Sequence, residues 1–126
     1  MRQNPRQGDI RFYPRLQISP FALFRAFKEG RAPVLVDVRM VPGLSSFPRA
    51  IQFWDPEWDP PEELEAVLFD DDGEEATALA LELQKAGFPR MRALFGGLKL
   101  YDFALDPGVV GEERFLRDYR ESDSSS

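Results

Sequence analysis

No cysteine and no histidine occur in this chain of 126 residues. The first absence removes disulfides, thiolate nucleophiles, persulfides and thiolate metal sites. The second removes imidazole ligands, and the two together remove every Ser-His and Cys-His catalytic arrangement. Chemistry, if the chain performs any, has to run on carboxylates, hydroxyls, Lys, Arg, backbone amides or a bound ion. Long uncharged runs are missing as well: the N-terminal MRQNPRQGDIRFYPR has no apolar stretch of signal-peptide length, and nothing approaches the roughly 20 apolar residues that span a bilayer. A cytoplasmic, soluble protein is therefore expected. Positive charge is the scarcer sign, with 16 Lys and Arg against 22 Asp and Glu for a net charge of −6. That balance argues against general affinity for nucleic acid or for anionic membranes.

What is present alternates between helical and extended patterns. Ser19-Pro20 reads as an N-cap followed by proline at the first helical position, and Phe21, Leu23, Phe24 and Phe27 carry the apolar spacing of a helix that Gly30 ends. Val34 to Val38 is short, β-branched and bounded by Pro33, the pattern of a buried strand. Ile51 to Phe53 is a weaker strand pattern, residues 62–66 suit one or two helical turns, and Ala66 to Phe69 is the next apolar run. From Glu74 to Ala86 the apolar Ala76, Leu79, Ala80 and Leu83 share one helical face, acidic residues crowd the first turn, and Gly87 stands at the capping position. A strand over Met91 to Phe95, a Gly96-Gly97 turn and a helix over Leu98 to Ala104 follow. Outside this stretch an edge strand is expected at Ile10 to Tyr13 and an amphipathic helix, bearing Arg114 and Arg117, at Glu112 to Arg120. The division is an N-terminal arm at 1–15, a domain at 16–105, a helical extension at 106–120 and a disordered tail at 121–126.

Strands alternating with helices of this length imply an α/β fold, a three-layer α/β/α domain around a central, mainly parallel sheet. Ligands of such sheets bind beyond the carboxyl ends of the strands, at loops entering the next helix. Here the best-formed loop of that kind is Asp70, Asp71, Asp72, Gly73, Glu74, Glu75 and Ala76.

Taken in order, VLVDVR at 34–39, FPRAIQF at 47–53 and AVLFDDDGEEATALALELQKAGFPRMRALFGGLKLY at 66–101 resemble the rhodanese, or sulfurtransferase, family over residues 16–105. The first resembles that family's buried strand closing in Asp-x-Arg. The second resembles its proline-glycine-alanine-isoleucine segment, with Arg49 in place of the usual glycine and Ser46 where a histidine commonly stands. The third matches in order and spacing, through the loop, the helix, the Gly-Gly pair and the aromatic Tyr101. In that family the loop begins with the cysteine that carries the persulfide, and its backbone amides curl around the sulfur. By position Asp70 occupies the cysteine site. The resemblance thus implies a domain without persulfide chemistry and without a catalytic residue or cofactor, in which Asp37 and Arg39 are structural.

A ring of amides at a helix start stabilises negative charge, whether of a ligand or of a side chain. Asp70 is therefore expected to act as a built-in anion, with a capping value of about 1 kcal/mol. Against it stands repulsion among five carboxylates in six residues.

VLFDDDG also resembles the nucleophile motif of the haloacid-dehalogenase-type phosphatases. That resemblance implies a Mg²⁺-dependent phosphoester hydrolase using Asp70 and Asp72. The threonine usual after the glycine is Glu74 here, and Lys85 and Lys99 are the only lysines that follow. A calcium loop registered on Gly73 puts the apolar Leu68 and Leu79 at its first and last ligand positions. The identity of any metal at the loop stays open.

Residues 50–84 hold twelve of the 22 acidic residues and none of the 16 basic ones. An acidic face around the loop attracts a basic protein segment and repels anions. A catalytically inactive, protein-binding or regulatory module is the function expected, with solvation alone as the plain alternative for the charge run. Trp54 and Trp58 are expected to close the edge of the core, since a chain with eleven phenylalanines has much aromatic surface to hide.

Overall fold

The computed structural model describes residues 12–40, 45–47, 49–105 and 117–118. The strands are β1 (Gln17–Ile18), β2 (Val34–Asp37), β3 (Ser45–Ser46), β4 (Ile51–Gln52), β5 (Ala66–Phe69), β6 (Met91–Leu94) and β7 (Arg117–Asp118); the helices are α1 (Pro20–Lys28), α2 (Glu74–Lys85) and α3 (Gly97–Ala104). Five strands form one sheet in the order β1-β6-β5-β2-β4, and every pairing in it is parallel. β5 lies at the centre, with Val34 to Asp37 of β2 opposite Ala66 to Phe69 and Ala66 also opposite Met91 of β6.

The alternation of side chains along each strand explains the layers. Leu35, Val67, Phe69 and Leu94 face a cluster built with Leu23 and Phe24 of α1 and Leu98 and Tyr101 of α3. Val36, Val38, Ala66, Leu68, Met91 and Ala93 face the other way, onto Ala76 and Ala80 of α2. All four residues of β5 are buried, which is why that strand reads as a continuous apolar run rather than an alternating one. The small Ala76 and Ala80 let α2 lie close to the sheet, with Leu79 and Leu83 packed at the margin. Phe47 bridges elements on the first face: its ring meets Phe69 and Tyr101 edge-on, at 5.1 and 4.9 Å, and stacks on Phe27 at 5.6 Å.

The ends of α1 and α2 lie where the sequence puts them. Ser19 Oγ accepts from the Ala22 amide at 3.2 Å with Pro20 opening α1, and α2 stops ahead of Gly87. Phe21 points outward, leaving Leu23, Phe24 and Ala26 as the buried stripe.

Three expectations are corrected. Residues 62–66 are not helical: Glu62 and Glu63 form a turn, Leu64 and Glu65 are irregular, and Ala66 opens β5, taken up by pairing with Val34 and Met91. The first edge strand is Gln17–Ile18, paired with Ala93 and Leu94, while Phe12 and Tyr13 are irregular; Ile10 and Arg11 lie outside the described residues. In the expected C-terminal helix over 112–120, Arg117 and Asp118 are instead a strand antiparallel to Ser46 and Ser45. The remainder of that segment, residues 1–11 and the tail at 121–126 lie outside the described residues. Among the described residues no helix is long and apolar enough to cross a membrane.

Arg49, just before β4, has φ +61° and is the one non-glycine residue with positive φ among the described residues. For an L residue with a side chain this backbone costs about 1 kcal/mol.

Candidate functional site

The loop between β5 and α2 starts at the carboxyl end of the central strand. Asp70 is buried, although it carries a carboxylate. Its Oδ1 accepts from the Gly73 amide at 2.6 Å, and its Oδ2 accepts from the amides of Glu75 and Ala76 at 3.0 and 3.2 Å. Asp72 Oδ1 takes the amide between them, that of Glu74, at 3.0 Å. The helix proper begins with the Thr77 amide donating to the Gly73 carbonyl at 3.1 Å. Every amide from 73 to 76, which an isolated helix start leaves unmatched, therefore has a side-chain carboxylate as acceptor. Gly73, the residue before α2, offers no side-chain cap of its own, and Asp70 supplies one from three residues upstream.

A second helix start backs the same loop. The Leu98 and Lys99 amides of α3 donate to the carbonyls of Asp70 and Asp71, both at 2.9 Å. Backbone meets backbone here: a Cβ added to Gly97 would stand 2.6 Å from the Asp71 carbonyl and the Asp72 amide, and one added to Gly73 2.9 Å from the Gly96 amide. Gly97 also has φ +66°, so no other residue combines the required backbone with the required closeness. Two helix N-termini thus point their partial positive charge at an acidic loop, which offsets part of its internal repulsion.

The third contributor is the end of β2. Asp37 is buried and holds Arg39 twice, through Oδ1 to Nε at 2.9 Å and through Oδ2 to Nη2 at 2.8 Å, with Gln52 Nε2 donating to Oδ2 at 3.3 Å. Arg39 reaches on to Asp71, its Nη1 donating to Oδ1 at 3.1 Å. Burial works against the Arg39 cation, but hydrogen bonding and charge from Asp37, with Asp71 adding to them, more than offset it and hold the guanidinium above its ordinary value. For Asp70 burial is the largest influence and raises the carboxyl. The amides of Gly73, Ala76 and Glu75 pull it down, the charge of Asp72 pushes it up, and the net shift is upward.

These groups line an open cleft of about 630 Å³, with Arg39 and Met40 on one side and Asp70 to Asp72, Glu74 and Glu75 on the other. Asp71, Asp72, Glu74 and Glu75 are exposed, whereas Gly73 and Ala76 are buried. The site residues read from the sequence, Asp70 through Ala76 with Asp37 and Arg39, thus meet at the carboxyl end of β5 and β2. Met40 is the lining residue that sequence reasoning missed. A lone methionine after a strand carries no signal, and only its 72% exposure beside the cleft reveals it. Trp54 and Trp58 divide: Trp58 packs against the core beside Phe53, while Trp54 is 46% exposed and donates from Nε1 to the Val38 carbonyl at 3.0 Å.

Chemically, the arrangement is spent on itself. The Asp70 oxygens face amides, Asp72 Oδ1 faces an amide, and Asp71 faces Arg39, so the aspartates do not converge on a shared point. Among the described residues no group of three or more carboxylates is placed to hold a metal ion.

A three-layer domain with this parallel strand order and a loop of amides beyond its central strand defines the class. The particular fold is rhodanese-like: a solved structure of a rhodanese-related protein from Thermoplasma volcanium matches 71% of this chain and 93% of its own, with a TM-score of 0.57 and 18% sequence identity. At that identity the likeness concerns the fold. No family model and no curated protein matches the chain. The chain carries Asp70, and no cysteine at any position, on that fold.

Proposed function

We propose that this chain is a catalytically inactive rhodanese-like domain, a protein-binding or regulatory module that presents its acidic cleft to a basic segment of a partner protein. The observation that carries this reading is the Asp70 carboxylate on the amides of Gly73, Glu75 and Ala76. With that ring filled from within and Arg39 committed to Asp37 and Asp71, an incoming anion meets neither a free ring nor an uncommitted cation. It meets exposed carboxylates instead. A carboxylate cannot carry a sulfane sulfur, and the chain has no thiol to replace it. What remains attractive at the cleft is negative charge beside the exposed thioether of Met40, which suits lysines and arginines of a partner.

The experiment is titration of an arginine-rich peptide into the full chain, followed by Trp fluorescence at low and high salt. Binding is expected to weaken with salt and to be lost in the Asp72→Asn/Glu74→Gln/Glu75→Gln variant. It should be retained in an Asp59→Asn/Glu62→Gln/Glu63→Gln variant that removes as many charges elsewhere. Equal losses in both variants would reduce the interaction to net charge and end the proposal of a docking cleft.

A further inference from the structure

At the amino-terminal ends of β2 and β4, the opposite end of the sheet from the acidic cleft, lies a second cavity of about 430 Å³. Phe27 from the end of α1, Ala32, Pro33, Val34 and Leu35 leading into β2, and Ile51 of β4 form its apolar walls, and Arg49 adds a cation to the lining. Among the described residues Arg49 is the only charged one there, and no acidic side chain of theirs lines the pocket.

Two features set Arg49 apart. Its φ of +61° is a backbone that glycine adopts freely and arginine does not. Strain of this kind concentrates at binding and catalytic sites. Its side chain is exposed, and among the described residues no hydrogen bond or ion pair holds the guanidinium. The neighbouring Arg31 is different, being paired with Glu29 at 2.6 Å.

An apolar pocket of this size with one guanidinium at its margin has the make-up of a small-molecule site, in which hydrophobic walls take the body of the ligand and one polar group orients it. A guanidinium matches a carboxylate through two parallel hydrogen bonds. A single cation balances a single negative charge, so a dianionic phosphate ester is left half-compensated and a neutral hydrocarbon leaves the cation unused. We propose that this pocket binds a small apolar monocarboxylate, its hydrocarbon tail against Phe27, Val34, Leu35 and Ile51 and its carboxylate on Arg49. The site is separate from the acidic cleft and does not depend on the function proposed for it.

The test is titration of octanoate, and of neutral octanamide, into the ¹⁵N-labelled full chain. Octanoate is expected to give saturable shifts centred on residues 32–35 and 49–51, with octanamide bound at least about tenfold more weakly. Arg49→Gly, which suits the local backbone, should fold, melt no lower than the native chain, and lose octanoate affinity by about tenfold or more. Arg49→Gln, which keeps a polar side chain but removes the charge, should show the same loss. Absence of saturable shifts at millimolar octanoate, shifts centred elsewhere, or equal affinity for octanamide or for the Arg49→Gly variant would overturn the proposal.

Discussion

Arg39 and Asp71, 32 residues apart in sequence, meet at 3.1 Å through Nη1 and Oδ1, and the contact ties the end of β2 to the loop that follows β5. On its other side the same guanidinium is held by the buried Asp37. The two carboxylates are not equivalent: the Asp37 side chain is 1% exposed and that of Asp71 64%.

That difference predicts unequal costs. Asp37→Ala leaves a buried arginine without its main counter-charge and should cost about 3–5 kcal/mol. Asp71→Ala removes a solvent-screened pair and should cost less than about 1 kcal/mol. Urea unfolding of both variants checks the ratio, and comparable losses would mean that Asp71 is no less important than Asp37.

Asp70→Ala strips the acceptor from three amides at the start of α2. A loss of about 2 kcal/mol is expected from the missing cap and the buried amides left unmatched. An unchanged melting temperature would show that the carboxylate is dispensable to the loop.

The same residue makes stability depend on pH. Its folded pKa is raised, chiefly by burial, so the folded state holds the proton to higher pH than the unfolded chain does. The contribution of Asp70 is then fully present below the ordinary aspartate value and declines as pH rises through the raised value. The stability difference between the native chain and Asp70→Asn should therefore shrink with rising pH across that window and then level off. Growth of the difference instead would mean that the amides outweigh burial and that the carboxyl is held low.

Gly97→Ala should be among the most damaging small substitutions in the chain. The added methyl would stand 2.6 Å from the backbone of Asp71 and Asp72, on a residue with φ +66°. A cost of about 3 kcal/mol or more is expected, read as a lower midpoint in urea. Gly87→Ala is the control: φ there is +110° but nothing stands within 4 Å of the new Cβ, so its cost reports backbone strain alone.

Phe47→Ala removes the ring that meets Phe27, Phe69 and Tyr101. A fully buried aromatic of this kind is worth about 3–5 kcal/mol. A smaller loss would indicate that the neighbouring rings close the space.

Helices α1, α2 and α3, strands β2, β4, β5 and β6, the parallel sheet, the start and stop of α2, the acidic loop at Asp70 and the exclusion of thiol chemistry were legible in the sequence. Each rests on local periodicity, on capping residues a few positions apart, or on a residue type that is absent. Local signals were weakest where elements are two residues long: β1 and β7 exist because Gln17–Ile18 and Arg117–Asp118 find partners in β6 and β3, and no periodicity can show over so short a span. Only the tertiary structure decided where the carboxylates point. Asp70, Asp71 and Asp72 are identical in sequence, yet one faces three amides, one faces Arg39 and one caps a single amide. The difference arises because the start of α3 and the end of β2, distant along the chain, press on the loop from two sides. The left-handed backbone of Arg49 belongs with these, since an arginine does not itself favour a positive φ.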